Sequence, residues 1–366
     1  MSRPLLSAAL IVRDEERHLP TCLASLRDRV DEIVVVDTGS IDRSRDIARD
    51  FGATLVERPW TDDFASARNA SIELARGSWI FYIDADEEVV AFDRREIERE
   101  LADPRYAAYT VAFRPGEGYT RYREHRLFRN RADLRFRGVI HESLIPALES
   151  LREREGLGVG ASTTAIDHHG YGPDATHKPA RDIPLLRERL RAEPGHVYSW
   201  AHLGSALLAS GDQAAAEEAW RRGIAAALAS PVRTPVESLP YLRLARFLLE
   251  RGRDAGDVVE EGLRLFPDNH ALGWLEGQRL VAQQRFEAAM PYFAHLATVD
   301  PDRLAAAGIA YDVSIFGANA HAALGLCAFR LGRFAESAAH YARAEALAPG
   351  DAAIRTKRMF AEARAR

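Results

Sequence analysis

A chain of 366 residues with 49 basic and 54 acidic side chains, net charge −5, is long enough for two domains that each bury a core. It is too evenly charged for electrostatic capture by nucleic acid or an anionic membrane. Cys22 and Cys327 are its only cysteines, far apart on apolar segments; this argues against a disulfide framework or a cysteine metal site and marks both as small buried hydrophobes. No apolar run approaches the roughly 20 residues that span a bilayer, so the expectation is a soluble, cytoplasmic protein.

In chain order, Leu6 to Val12 predicts a first strand. The acidic run Asp14, Glu15, Glu16 follows it at once, with no small-residue cleavage site before it, which argues against a leader peptide. Leu19 to Leu26 reads as a helix, Glu32 to Val36 as a strand, Ser44 to Phe51 as a helix and Thr54 to Val56 as a strand. That alternation predicts a parallel α/β sheet. Phe64 to Ala75 has helical spacing, and Trp79 to Ile83 is an apolar run too short for most helices that ends in Asp84-Ala85-Asp86. Asp37 ends the earlier strand in the same way. Open α/β sheets bind ligands at the carboxyl ends of their strands, so Asp37 and the acidic triplet stand where a nucleotide site belongs. Tyr106 to Phe113, Phe136 to Ile140 and Thr163 to Ile166 are predicted as later strands, with arginine-rich loops between them.

Composition changes after Pro179. From Leu185 onward the chain is rich in Ala, Leu, Arg and Glu, a helix-forming mixture without a convincing strand. Aligned on small residues, Leu203-Gly204 with Gly211, Ala216 and Trp220 matches Leu244-Ala245 with Gly252. The same pattern returns in Glu276-Gly277 with Phe286, Ala289, Phe293 and Pro301, and in Leu324-Gly325 with Gly332, Phe334, Tyr341, Ala344 and Pro349. These offsets resemble tetratricopeptide repeats of about 34 residues. Three to four degenerate units are expected, with a second half poorly formed near Asp254 and an insertion after Pro301. The predicted division is an α/β domain over 1–179 and a helical repeat domain over 180–366.

An Asp-x-Asp triplet alone is a weak signal, since it also occurs in ordinary surface loops. Its meaning comes from its company: EIVVVDTGSID (Glu32 to Asp42), Gly52-Ala53, PWTDDFASARN (Pro59 to Asn69) and GSWIFYIDADEE (Gly77 to Glu88), in that order. Over about residues 5 to 172 the chain resembles family 2 glycosyltransferases of the GT-A fold. It is most similar to members with C-terminal tetratricopeptide repeats, including peptide S-glycosyltransferases of the sublancin type. The resemblance implies a Rossmann-like mixed sheet of the nucleotide-diphospho-sugar transferase kind followed by an all-α repeat domain. It also implies an inverting transfer from a UDP-sugar donor to a peptide or protein acceptor, with a divalent cation, manganese or magnesium, to neutralise the leaving diphosphate.

The resemblance assigns roles by position. The loop after the first strand, Arg13-Asp14-Glu15-Glu16, stands where relatives have an Asn-Glu-Glu-like motif around the nucleoside, so Asp14 and Glu16 are candidate donor contacts, with Asp14 replacing the usual Asn. Asp37 is expected to accept from the uracil imide; its alternative is to cap the helix that begins near Ser40. Arg68 is placed near base and diphosphate, or is a surface arginine. Asp84 is expected at the ribose and Asp86 on the metal. In RLFRNRADLRFRGVIHE (Arg126 to Glu142), His141-Glu142 resembles the family's acceptor-side pair. Glu142 is the candidate base that deprotonates the acceptor, and the alternative is a salt bridge to a neighbouring arginine. His141 would orient Glu142 or touch the metal, while Arg126 and Arg129 face diphosphate or are solvated. Ile166 to Tyr171, IDHHGY, resembles a His-x-Gly-Tyr element in which His168 completes the metal shell beside Asp86.

Competing expectations are transfer to a lipopolysaccharide core or another glycan, and a catalytically silent repeat scaffold. The joint presence of Asp37, Arg68, Asp84, Asp86, Glu142 and His168 argues against the scaffold. No Gly-x-Gly-x-x-Gly follows the first strand, which argues against a nicotinamide oxidoreductase. Self-association through exposed apolar edges of the repeat array is a further expectation.

Overall fold

A computed structural model describes residues 3–170 and 178–366; Tyr171 of the His-x-Gly-Tyr element lies outside the described residues. Two compact units are present, Met1–Glu117 with Arg121–Pro194, and Gly118–Thr120 with Gly195–Arg366.

The first unit is built on a mixed eight-stranded sheet with strands β1 (Leu6–Val12), β2 (Glu32–Asp37), β3 (Thr54–Glu57), β4 (Trp79–Tyr82), β5 (Glu87–Ala91), β6 (Tyr106–Arg114), β7 (Tyr122–Arg129) and β8 (Gly158–His168). Their order is β3-β2-β1-β4-β7-β6-β8-β5. β1, β2, β3 and β4 are parallel neighbours; β7 joins β4 antiparallel, and β5 joins β8 antiparallel. The chain therefore winds outward from β1 to β3 and returns to the other side of β1 with β4, so the switch point lies between β1 and β4.

The first strand is apolar but for Ser7, whose buried hydroxyl donates to Glu32 at 2.6 Å, because both faces are covered. Leu6, Ala8, Leu10 and Val12 pack into one core with α1 (Leu19–Leu26) and α4 (Arg94–Ala102), while Ala9 packs into a second core with α3 (Phe64–Leu74) and α5 (Ile145–Glu155). In α1 the buried residues Leu19, Cys22, Leu23 and Leu26 form one stripe at helical spacing. α2 (Ser44–Asp50) follows β2. Asp63 caps α3 by accepting from Ser66 N at 2.9 Å.

Phe136 to Ile140 forms no strand, contrary to the prediction. Asn69 supplies the pairing a ladder would have given: its Nδ2 donates to Phe136 O at 3.0 Å and its Oδ1 accepts from Phe136 N at 2.9 Å. Gly138 then turns the chain at φ 104°. α6 (Lys178–Ala192) belongs to this first unit.

The second unit is a succession of helix pairs: α7 (Val197–Ala209) with α8 (Gln213–Ala229), α9 (Leu239–Leu249) with α10 (Gly256–Leu265), α11 (His270–Ala282) with α12 (Phe286–Thr298), and α13 (Gly317–Arg330) with α14 (Phe334–Leu347). α15 (Ala352–Ala365) follows. Three pairs share one device, a glycine on the first helix against an aromatic at a constant offset on the second. A Cβ on Gly204 would fall 2.3 Å from Trp220, on Gly277 2.6 Å from Phe293, and on Gly325 3.0 Å from Tyr341. All three rings are buried, each stabilising its pair by roughly 1.5–3 kcal/mol or more. The pair α9–α10 lacks the device, which is why its sequence pattern is the weakest. Cys22 and Cys327 are both buried free thiols. No described helix is long and apolar enough to cross a membrane.

Candidate active site

Three of the expected carboxylates stand at or just beyond the ends of β2 and β4, the two strands that neighbour β1. Asp37 ends β2 and is 1% exposed. Its Oδ1 accepts from Gly39 N at 3.1 Å and Ser40 N at 3.0 Å, closing the turn, while its buried Oδ2 has no hydrogen-bond partner among the described residues. The expected alternative, a cap on α2, is not what the side chain does; Asp42 Oδ1 bonds Ser44 N instead, at 2.9 Å.

The loops after β1 and β2 are laced together. Asp14 N donates to Ser40 Oγ at 3.0 Å, and Asp14 Oδ1 accepts from Ile41 N at 2.7 Å. Glu16 Oε2 accepts from Arg43 N at 3.1 Å, and Glu16 N donates to Asp42 Oδ2 at 2.9 Å. Asp14 holds a left-handed φ of 54°, tolerable for an Asp whose side chain bonds locally. Both carboxylates thus tie the two loops together next to Asp37.

Asp84, Ala85 and Asp86 form a tight turn into β5, closed by Glu87 N on Asp84 O at 3.1 Å and by Asp84 N on Glu87 Oε2 at 2.8 Å. Ala85 is buried between the two aspartates. Asp84 lies between two arginines, with Oδ1 3.0 Å from Arg68 and Oδ2 3.8 Å from Arg126. Arg68, on α3 and 7% exposed, also donates through Nε to Glu142 Oε1 at 2.6 Å. Both guanidiniums stack on Tyr82, at 4.6 Å for Arg68 and 4.5 Å for Arg126. Burial alone would lower the Arg68 pKa; Asp84 and Glu142 outweigh it and hold the group above the usual arginine range.

Arg126 is not solvated. It is 4% exposed, with a two-pronged pair to Glu87 at 2.7 and 3.0 Å and contacts to Glu124 at 2.7 Å. Its partners are thus carboxylates of the chain itself, Glu87, Glu124 and, at 3.8 Å, Asp84. Burial pushes the Glu87 carboxyl up, against the pull of Arg126. Arg129 turns away altogether, donating to Tyr106 O and Asp103 O at 2.8 and 3.1 Å.

Glu142 sits on a short loop closed by Arg137 and Ser143, whose backbones exchange hydrogen bonds at 3.2 and 3.0 Å. His141, preceding it, has φ 51°, a backbone cost that aims Glu142 at Arg68. The salt bridge named as the alternative for Glu142 is therefore present, and its arginine is one of the candidate site residues.

Asp86 meets His168 at the end of β8, Oδ2 to Nε2 at 3.1 Å. His168 Nδ1 bonds Pro115 O at 3.1 Å. A carbonyl only accepts, so Nδ1 carries the ring proton and Nε2 turns a lone pair toward the carboxylate. Two acceptors so placed call for a second proton or a cation between them. Neighbouring corners of an octahedral ion with bonds of about 2.1 Å lie about 3.0 Å apart, so this pair fits manganese or magnesium. Gly170 permits the approach, since a Cβ there would fall 2.0 Å from Asp86 Oδ2. No group of three or more His, Cys, Asp or Glu converges among the described residues. His169 pairs with Glu88 at 2.9 Å instead.

Several participants were not singled out from the sequence. Glu87, Glu124 and Tyr82 shape the charge around Asp84; Asn69 fixes the segment leading to Glu142. His18 lies within electrostatic reach of Asp86: burial lowers its pKa and Asp86 works to raise it. Only Asn69 had a usable signal, its place beside Arg68 in Ala-Arg-Asn.

Residues 7–156 match glycosyl transferase family 2, and residues 318–351 match a tetratricopeptide repeat. The first unit contains a family 2 glycosyltransferase domain. A TPR repeat-containing protein of Synechococcus elongatus is 40% identical over 225 residues, covering 60% of this chain and 56% of that protein. The SPbeta prophage-derived glycosyltransferase SunS of Bacillus subtilis is 30% identical over 200 residues, covering 52% of this chain and 46% of that protein. The chain spans about half the length of these curated relatives. Among solved structures, glucosyl-3-phosphoglycerate synthase from Mycobacterium tuberculosis, in complex with Mn2+, UDP and glucosyl-3-phosphoglycerate, aligns at TM-score 0.36 and 17% identity over 51% of this chain and 80% of that chain. YrrB, a TPR protein with an unusual peptide-binding site, aligns at TM-score 0.38 and 12% identity over 52% of this chain and 86% of that chain. With the mixed sheet and the helix pairs, the architecture is a GT-A glycosyltransferase domain followed by tetratricopeptide-like helices.

Proposed function

We propose that this protein is an inverting glycosyltransferase that takes a sugar from a UDP-sugar and delivers it to a peptide or protein. The first domain would carry the chemistry and the repeat domain would select the acceptor. The observation that carries the reading is the approach of Asp86 Oδ2 to His168 Nε2 at 3.1 Å, next to an Asp84 already fixed by arginine. Asp86 and His168 would hold a divalent ion, manganese or magnesium, which supplies positive charge against the departing diphosphate.

The remaining steps belong to the chain's own side chains. Asp37 Oδ2, buried and without a partner among the described residues, is the acceptor for an imide N–H, the group that distinguishes a uracil ring from one presenting an acceptor there. Asp14 and Glu16 fix the loop edges that embrace the nucleoside. Asp84 accepts from ribose hydroxyls, held in one orientation by Arg68 and Arg126. Glu142, aimed by the His141 turn, takes the proton from the acceptor nucleophile; Arg68 keeps it aligned with Asp84.

The peptide or protein acceptor rests on the resemblance to sublancin-type enzymes and on the repeat helices, an architecture that builds extended binding surfaces. Purified protein given labelled UDP-sugars and manganese tests it on peptide and glycan arrays. Labelled peptide is the expected outcome; label on glycan alone would move the acceptor to the lipopolysaccharide or other glycan class, and no UDP release with any metal would leave a silent scaffold.

A further inference from the structure

The arginine-rich stretch before Glu142 contains more positive charge than the proposed chemistry uses. Beside α5 lies a cavity of about 280 Å³ lined among others by Asp133, Arg135, Arg137, Pro146, Ser150 and Arg154. Its one lining carboxylate, Asp133, is already paired, as is the nearby Glu155. Asp133 is held by Arg131 at 2.9 Å and by Arg154 at 2.7 Å, and Glu155 by Arg131 at 2.7 Å. Arg135 donates to carbonyls, Arg131 O and Leu134 O at 2.5 and 2.9 Å, which leave its charge uncompensated. The Arg137 guanidinium has no carboxylate within salt-bridge distance among the described residues. Three lining arginines, Arg135, Arg137 and Arg154, against one lining carboxylate, Asp133, leave two positive charges facing one concavity. Ser150 adds a hydroxyl, and Pro146 and Ala147 place the first turn of α5 on the wall, where the helix dipole favours negative charge.

Such an arrangement is self-repelling when empty of anions and becomes favourable when a dianion with forked acceptor oxygens occupies it. A water needs only about 10–15 Å³ of such space, so the cavity has room for a phosphate and part of what it is attached to. We propose that this cavity is a second, anion-binding site that takes a phosphate group, held by Arg135, Arg137 and Arg154 with Ser150. It is separate from the donor site: Arg126, Arg68 and Asp84 are not among its walls. It abuts the loop of the proposed base, because Arg137, one of its walls, exchanges both backbone hydrogen bonds with Ser143 next to Glu142. The inference does not depend on the proposed activity, since its readout is binding.

The test is thermal unfolding of the full chain with inorganic phosphate, at ionic strength matched with sodium chloride and with UDP saturating the donor site. Phosphate should raise the melting temperature beyond chloride, and the double variant Arg135→Gln, Arg137→Gln should weaken its apparent affinity at least tenfold. Arg137→Lys, which keeps the charge but loses the fork, should fall between. A phosphoserine peptide run in parallel identifies the source: tighter binding than free phosphate assigns the group to a macromolecule, equal binding to a free ion. If phosphate does no more than chloride, or the double variant responds as the parent does, the proposal is overturned. Should the double variant fail to fold, Arg137→Gln alone, whose side chain is exposed, gives the same comparison.

Discussion

Arg68 joins Asp84 to Glu142, donating through one nitrogen to each, at 3.0 and 2.6 Å. Arg68→Ala strands two carboxylates, one of them 10% exposed, so a loss of about 3–5 kcal/mol is expected by denaturant titration. Arg68→Lys keeps the charge but cannot fork. It should recover part of the stability while transfer stays at least tenfold down; parent-like transfer in Arg68→Lys would remove the bridge from the account.

Glu142→Gln preserves an oxygen for Arg68 Nε and removes the group that accepts a proton. UDP affinity should therefore stay within about twofold while the transfer rate falls by about 10²–10⁴. Calorimetry with UDP and a single-turnover assay read the two effects separately.

Asp86→Ala and His168→Gln should each abolish the stimulation of donor hydrolysis by manganese, with unchanged far-ultraviolet circular dichroism. A manganese titration that saturates at the same concentration in parent and variants would take these residues out of the metal shell.

Much of this arrangement was legible in the sequence where one physical cause acted alone. β1, α1 and β4 fall within one residue of their predicted ends, because their apolar positions have a single periodicity and face packed cores. β5 and β7 were missed: Glu87 and Arg126 are charged residues turned inward to satisfy each other, and no hydropathy pattern announces a buried ion pair. Phe136 to Ile140 misled in the opposite sense, apolar and β-like but completed by one asparagine side chain. At the site, Asp37, Asp84 and Asp86 were found from strand ends. That Arg68 would reach Glu142, far along the chain, depends on a left-handed His141 that spacing cannot disclose.

Acid stability of the repeat unit is expected to show Glu217. Its carboxylate accepts from Arg253 and Arg221 and is drawn down to about 2, with contacts of 2.6 and 2.7 Å. A depressed carboxyl stabilises the fold above its unfolded pKa near 4.5 and loses that contribution as pH falls toward 2. Glu217→Gln should cost about 1 kcal/mol at pH 7 after allowance for solvent screening. The difference from the parent should shrink below pH 4.5 and vanish near pH 2, as read by urea unfolding at stepped pH.

The helix pairs should be sensitive to one methyl group. Gly277→Ala places a Cβ 2.6 Å from the buried Phe293 ring, an overpacking expected to cost about 1–3 kcal/mol. Gly195→Ala, where nothing lies within 4 Å, serves as the control. Equal melting temperatures would mean that the pair has slack the geometry does not indicate.

The most direct measurement is anomalous diffraction at the manganese edge from crystals grown with UDP and manganese. A peak about 2.1–2.2 Å from both Asp86 Oδ2 and His168 Nε2, with the uracil imide on Asp37, is the predicted result. A bound nucleotide whose manganese touches neither side chain would contradict it.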